Sequence, residues 1–242
     1  MGVLAQRVIG ITRPGPLEVD RLLLRVLEED AAGEPLGASP CLCCGVFLPL
    51  GASTEEPCAH CSGLRGGLKR TVALGGYAGG LGALVAAAKY GRWHVPLEVL
   101  GTRLGVQLLM NIPLRGRVPL LVPLPSPRLR RMHRGLDHAR ILAKAAAQAT
   151  GWQVAAGLRR SWVPTQVGST PSARQRGGGG LRARSGFRSV LEGRVVVLID
   201  DVRTSGRSLD RASRLCHGLG AGSVCAGVVA VRREKYANQT LS

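Results

Sequence analysis

From Pro16 to Glu29 the apolar residues Leu17, Leu22, Leu23, Val26 and Leu27 share one face of a 3.6-residue period, flanked by Asp20 and Arg21, which predicts a short amphipathic helix. Leu81, Leu84, Val85 and Ala88 mark a second helix ending near Lys89-Tyr90-Gly91, and a third opens at Pro96 and runs through Leu97, Leu100, Leu104 and Leu108. Val72 to Tyr77 is a short strand-like run ahead of these. Strands and helices then alternate. Leu120 to Leu124 reads as a strand, Gly135 to Thr150 as an Ala-rich helix with Leu142, Ala145 and Ala149 inward, and Gln153 to Ala156 as a short strand. Val195 to Ile199 is an unbroken apolar run, all β-branched but Leu198, as a central parallel strand covered on both faces requires. Ser208 to Leu219 is a helix with Leu209, Ala212, Leu215 and Leu219 buried, and Ser223 to Val231 is the next strand. The pattern predicts an α/β fold built on a parallel sheet. No internal repeat is present.

The stretches without periodicity divide the chain. Residues 1–16 are punctuated by Gly and Pro, and 33–40 form a Gly/Pro/Ser linker. Residues 164–186 contain Pro164, Pro171, the tetraglycine Gly177 to Gly180, and Arg174, Arg176, Arg182 and Arg184; no core can form there, which predicts a long mobile basic loop. The expected organisation is an N-terminal extension with its amphipathic helix (1–40), a cysteine module (41–70), a small helical hood (71–114) and a core (115–242). A chain of 242 residues can bury one α/β core of roughly 150 residues beside a smaller module. No stretch is long and apolar enough for a transmembrane segment, and no basic region followed by an apolar run suggests a secretory signal. A cytoplasmic protein is expected, with the first helix packing on the protein or a partner, or, as the lesser alternative, lying on the inner face of the membrane.

Charge changes the picture. The chain has 33 Lys and Arg against 15 Asp and Glu, a net charge of +18, and Lys occurs only at 69, 89, 144 and 235. An Arg-rich composition alone does not create such an excess over acids. It points to a polyanionic partner, nucleic acid or a polyphosphate substrate. Aromatics are only 3%, so a base-stacking platform is not expected and nucleic acid would be held through its backbone.

Cys41-Leu-Cys-Cys44 and Cys58-Ala-His-Cys61 give two C-x2-C knuckles, the spacing that closes a tetrahedral zinc site. Cys43 and His60 lie between ligands and could substitute, but the pairing favours Cys41, Cys44, Cys58 and Cys61. Four protein ligands leave no open position, so a structural Zn²⁺ is expected. Cys216 and Cys225 fall on a helix face and in a strand and read as core residues.

The run Val195-Val-Val-Leu-Ile-Asp-Asp-Val-Arg-Thr-Ser-Gly-Arg-Ser208 places two adjacent carboxylates, Asp200 and Asp201, at the carboxyl end of a core strand, where open parallel sheets gather their ligands. Such a pair suits two neighbouring sugar hydroxyls, directly or through Mg²⁺. The turn Thr204-Ser205-Gly206-Arg207-Ser208 leads into a helix N-terminus, which favours phosphate, with Gly206 allowing close backbone approach. A Walker B strand also ends in two acids, but its partner loop needs Gly-Lys, a dipeptide this chain lacks.

This segment resembles the phosphoribosyl-pyrophosphate loop of type I phosphoribosyltransferases, and in particular of the ComF family of competence proteins. Tyr77 to Gly91 resembles that family's helix ending in a Lys, here Lys89. Leu121 to Gly135 resembles its first sheet strand and basic loop, and Arg160, Thr165-Gln166, Arg174 and Gly186-Phe187 resemble a further segment. The resemblance covers roughly residues 41–231. It implies a Rossmann-like type I phosphoribosyltransferase core with an N-terminal zinc ribbon and a helical hood. It further implies that Asp200 and Asp201 hold the ribose and Mg²⁺, that Thr204, Ser205, Gly206, Arg207 and Ser208 hold the 5′-phosphate, and that Ser126, Arg128 and Arg134 bind pyrophosphate. Lys89 and Arg174 would be lid or substrate contacts. The biological setting implied is uptake of single-stranded DNA in natural transformation, beside a helicase-like competence ATPase and other DNA-internalisation proteins, with or without phosphoribosyl transfer. The alternative is a nucleotide-salvage phosphoribosyltransferase with no DNA role. Asp137 stands in the basic loop where a carboxylate would repel pyrophosphate, and Thr204 stands where salvage transferases often carry an acid.

Overall fold

The computed structural model describes residues 15–32, 39–48, 51–90, 93–114, 116–126, 136–160 and 180–232. Its centre is a five-stranded sheet whose neighbours all pair in parallel. The strands are β3 (Leu68–Gly76), β4 (Leu120–Pro123), β5 (Gln153–Val154), β8 (Val195–Arg203) and β9 (Ser223–Val231), in the order β3-β9-β8-β4-β5. The α/β class with a parallel sheet is therefore as the alternation predicts.

Strand β8 shows why its residues had to be apolar throughout. Val197 and Ile199 pack on one side with Leu97, Leu100, Leu104 and Leu142, while Val196 and Leu198 pack on the other with Leu209, Ala212 and Cys216. The first layer comes from α1 (Pro16–Ala32), α2 (Gly79–Tyr90), α3 (Val95–Asn111) and α4 (His138–Thr150). The second comes from α5 (Phe187–Leu191), α6 (Arg207–Gly218) and the cysteine module. The first helix thus buries Val19, Leu23 and Val26 against the core, and Arg103 of α3 pairs with its Asp20 at 2.6 Å. Cys216 and Cys225 are core residues, one in each layer.

Three elements depart from the sequence expectations. The strand-like run at 72–77 begins earlier, at Leu68, and forms the β3 edge of the main sheet rather than a prelude to the hood. Leu181–Ala183 (β7), expected inside a structureless loop, pairs antiparallel with Leu158–Arg160 (β6), because Leu181 and Ala183 pack on the second layer and the pairing satisfies their backbone. Residues 164–179 of that expected loop lie outside the described residues. Finally, β8 does not stop at Ile199. Asp200, Val202 and Arg203 still pair with Val228, Ala230 and Val231 of β9, whereas the pairing of β4 with β8 ends at Pro123 opposite Ile199. Strand β8 overruns its neighbour by four residues, and the notch left beside it is where the site lies.

Candidate functional site

The notch opens into a cavity of about 510 Å³ at the carboxyl ends of the strands. Each wall is the end of an element. Asp200 and Asp201 come from the overrun of β8, and Thr204 and Ser208 from the turn into α6. Leu124, Pro125 and Ser126 follow β4, and Arg160 ends β6. Tyr77 follows β3, Lys89 and Tyr90 end α2, and Arg232 follows β9. Lys89, Arg160 and Arg232 line it together with the two carboxylates, so the cavity is a mixed but cation-rich site suited to an anion.

The two acids are not equivalent. Asp201 Oδ2 lies 3.0 Å from Lys89 Nζ and 3.3 Å from Nδ1 of the buried His138, and its Oδ1 accepts the Val202 N–H at 2.6 Å. Burial opposes its charge, but His138 and Lys89 outweigh that and hold its carboxyl below the usual range. Asp200 accepts the Asp201 N–H at 2.9 Å and among the described residues has no cation so close; burial, and then the neighbouring Asp201 charge, push it up to about 7. Arg160 is braced by donating from Nε to the Pro125 carbonyl at 2.8 Å and reaches Ser208 Oγ at 3.4 Å, linking the β4 loop to the turn. Arg232 lies over the Tyr77 ring at 5.2 Å and Lys89 over it at 5.9 Å.

Gly206 is the N-cap of the 12-residue α6, in the left-handed region at φ 72°. A Cβ there would meet Arg203 Nη2 at 2.8 Å, Arg203 Nε at 2.9 Å and Leu64 Cδ1 at 3.0 Å. The turn is thus packed from below as well as bent, which only glycine allows.

The second site is the cysteine module, a short antiparallel pair β1 (Ser39–Pro40) and β2 (Phe47–Leu48) followed by the second knuckle. The thiols of Cys41, Cys44, Cys58 and Cys61 lie within 4.8 Å of one another and can hold one metal ion. The separations Cys41–Cys61, Cys44–Cys58 and Cys58–Cys61 are 3.9, 3.5 and 3.8 Å. A tetrahedral zinc with sulfur at about 2.3 Å needs edges of about 3.8 Å, so the donor set fits. Cys43 points elsewhere, donating to the Leu68 carbonyl at 3.5 Å. Burial pushes the Cys44 thiol up to about 12 and raises Cys61 as well, so these thiols ionise only with a cation to hold the charge.

The module is fastened to the core at both ends. The Thr71 N–H and hydroxyl of β3 donate to the carbonyls of Leu42 and Cys43 at 2.6 and 2.7 Å. Gly66 donates its N–H to the buried Asp210 of α6 and accepts the Ser213 hydroxyl; a Cβ at Gly66 would meet the Asp210 carbonyl at 2.6 Å.

No protein-family model matches the sequence, and no curated protein matches it. Solved structures share a partial likeness. The allosteric regulatory enzyme of purine biosynthesis is 22% identical over 56% of this chain and 25% of that one, with a TM-score of 0.38. Glutamine phosphoribosylpyrophosphate (PRPP) amidotransferase from B. subtilis is 22% identical over 55% of this chain and 26% of that one, at 0.37. A protein from Thermus thermophilus is 16% identical over 59% of this chain and 86% of that one, at 0.34. The chain spans about a quarter of the length of the first two.

Of the residues singled out in the sequence, Asp200, Asp201, Thr204, Ser208, Ser126 and Lys89 line the cavity together. Ser205, Gly206 and Arg207 belong to the turn without lining it; Gly206 shapes the turn and Arg207 is exposed. Arg128, Arg134 and Arg174 lie outside the described residues. Asp137 precedes α4 and does not line the cavity, and the residue of that segment that reaches the acids is His138. Tyr77, Tyr90, Arg160 and Arg232 were not among the expected contacts. Each stands at an element end, and Tyr77, Tyr90 and Arg160 also fall within the segments that carry the resemblance, although no contact was assigned to them.

Proposed function

We propose that the chain binds phosphoribosyl pyrophosphate with Mg²⁺ in this cavity and acts as a ComF-like competence protein in the uptake of single-stranded DNA. The observation that supports this most is the overrun of β8, which sets two adjacent carboxylates beside a glycine-bent turn at a helix N-terminus. In this reading the N–H groups and hydroxyls of Thr204, Ser205 and Ser208 take the 5′-phosphate, and Asp200 accepts the ribose hydroxyls. Asp201 is kept ionised by Lys89 and His138. Arg160 and Ser126 face the pyrophosphate, with Arg128 and Arg134 following from the same loop and Arg174 as a lid contact. Carboxylate oxygens are the donors Mg²⁺ prefers, and the repulsion that helps to raise Asp200 is what a divalent cation would relieve. Bound there, the ion would neutralise phosphate charge. Zn²⁺ in the four-cysteine cluster would serve as structural metal.

The DNA side of the reading rests on charge. Arg182, Arg184, Arg188, Arg207, Arg211 and Arg214 are exposed on or beside β7, α5 and α6. Low aromatic content leaves backbone contacts as the mode of binding. In this setting the chain works in the cytoplasm or at the inner face of the membrane, beside a helicase-like competence ATPase and other DNA-internalisation proteins. Among the described residues no helix is long and apolar enough to cross a membrane.

Tyr77 and Tyr90 on the hood side of the cavity favour a second reading, a salvage transferase that stacks a nucleobase there. Calorimetry with Mg²⁺ and phosphoribosyl pyrophosphate tests the shared core. The Asp200→Asn/Asp201→Asn double variant should lose binding, and retained binding sinks the site. Release of pyrophosphate only with single-stranded DNA, or only with a nucleobase, separates the two readings.

A further inference from the structure

Arg203, the last residue of β8, is 3% exposed, and among the described residues its Nη2 finds no hydrogen-bond acceptor. Among the described residues it makes no ion pair with a carboxylate. A buried guanidinium without an anion is costly, so something in its surroundings should carry negative charge. Two neighbours are identified by geometry. On one side the guanidinium lies against the 204–208 turn, with Nη2 and Nε at 2.8 and 2.9 Å from where a Gly206 Cβ would stand, next to Leu64 of the cysteine module. On the other, Arg203 pairs across the sheet with Val231, whose side chain packs on Gly45 next to Cys44, while Leu64 donates its N–H to the Cys61 carbonyl at 2.9 Å, which brings Arg203 beside both knuckles.

The cluster beside it has the opposite difficulty. A divalent ion on four thiolates has a formal charge of 2 − 4 = −2, and the cluster is largely buried. A dianion in that setting needs a nearby cation, while four protonated thiols would give Arg203 nothing to balance. The orphan guanidinium and the uncompensated cluster account for each other.

We propose that Arg203 is the counter-cation of the metal-loaded Cys41/Cys44/Cys58/Cys61 cluster and that, through its packing beneath Gly206, metal occupancy sets the shape of the 204–208 turn. The second half rests on the reading of that turn as the phosphate site. Arg203 touches no substrate; it is a positioning residue. The metal module would then report on the pocket without contributing a group to it.

The test uses the zinc-loaded full chain as wild type, Arg203→Met and Arg203→Lys, following zinc transfer to a chromogenic chelator. Loss of an outer partner of a metal site costs about 10- to 100-fold in affinity, so Arg203→Met should release zinc at least ~10-fold faster. Arg203→Lys, which keeps the charge, should stay near wild type. In parallel, calorimetry with Mg²⁺ and phosphoribosyl pyrophosphate should show wild-type affinity falling after zinc removal, and Arg203→Met weak in both states. Wild-type zinc release from Arg203→Met, or equal release from the Met and Lys variants, overturns the counter-cation role. Equal affinity of the wild type with and without zinc overturns the coupling. A wild type that never binds phosphoribosyl pyrophosphate refutes the phosphate reading, and the coupling with it, while the zinc-release arm still decides the counter-cation. If Arg203→Met yields no folded protein, Arg203→Gln, neutral and polar, is read by the same criteria.

Discussion

Lys89 Nζ and Asp201 Oδ2 meet at 3.0 Å, joining the last turn of α2 to the overrunning end of β8 across one side of the cavity. With His138 behind it, this contact gives one member of the acid pair a counter-charge and leaves the other to its buried surroundings. The pair is therefore charged unequally, and the fold's response to pH depends on that split.

Stability should carry the mark of Asp200. Its folded pKa of about 7 is above the unfolded value near ~3.9, so between these pH values the folded protein holds a proton the unfolded chain has lost. Ionising Asp200 thus weighs against the fold as pH rises through that window, with no further change above it. Asp200→Asn should be about as stable as wild type at pH ~4 and more stable by about 1–3 kcal/mol at pH ~8. Urea unfolding at the two pH values checks this; a gain at the lower pH equal to that at the higher one contradicts it.

Gly206→Ala should damage both the turn and the fold. The left-handed φ and the contact with Arg203 together predict a loss of about 1–3 kcal/mol. Thermal unfolding measures the loss, and calorimetry should show phosphoribosyl-pyrophosphate binding reduced beyond it.

The cysteines should separate cleanly. Elemental analysis is expected to find one zinc per chain in the wild type and in Cys43→Ser, whose thiol faces Leu68, and none in Cys44→Ser. Zinc lost from Cys43→Ser would mean that the ligand set is wrong.

Arg160 sits at the cavity wall with its Nε–H on the Pro125 carbonyl. Arg160→Gln should weaken binding of phosphoribosyl pyrophosphate by about 10- to 100-fold, the scale of one charge-assisted contact. Its melting temperature should move little, since the residue lies at the end of a three-residue strand.

Single-stranded DNA should bind with steep salt dependence and little preference for sequence. The slope of log K against log salt should be near about −0.7 per neutralised phosphate. Fluorescence anisotropy across a salt series tests this, and affinity that ignores salt would contradict backbone binding.

The sequence carried the parts of this architecture that are local. The apolar run of β8, the acids after it and the spacing of the cysteines are all readable because each lies within one short segment. The cavity is less legible. Tyr77 and Arg232 reach the acids' cavity only because β3, β9 and β8 lie side by side, and Arg160 only because β6, outside that sheet, ends beside Pro125; such placement is a long-range property that periodicity does not encode. Arg203 is hidden for a different reason. In sequence it is one of many arginines, and only burial distinguishes it. The β6–β7 pair was obscured by composition, since three residues of strand among glycines and arginines leave no alternation to read.

The bonds from Thr71 to Leu42 and Cys43 have a consequence for solubility. Strand β3 is one of the sheet's two outer strands, and an outer strand with open backbone groups can recruit the same strand from another molecule. The first knuckle occupies that rim and covers part of it, so the cysteine module shields the sheet besides grouping four thiols that can hold a metal. Stripping the metal should therefore show itself early as self-association, visible by light scattering, before the sheet itself has come apart.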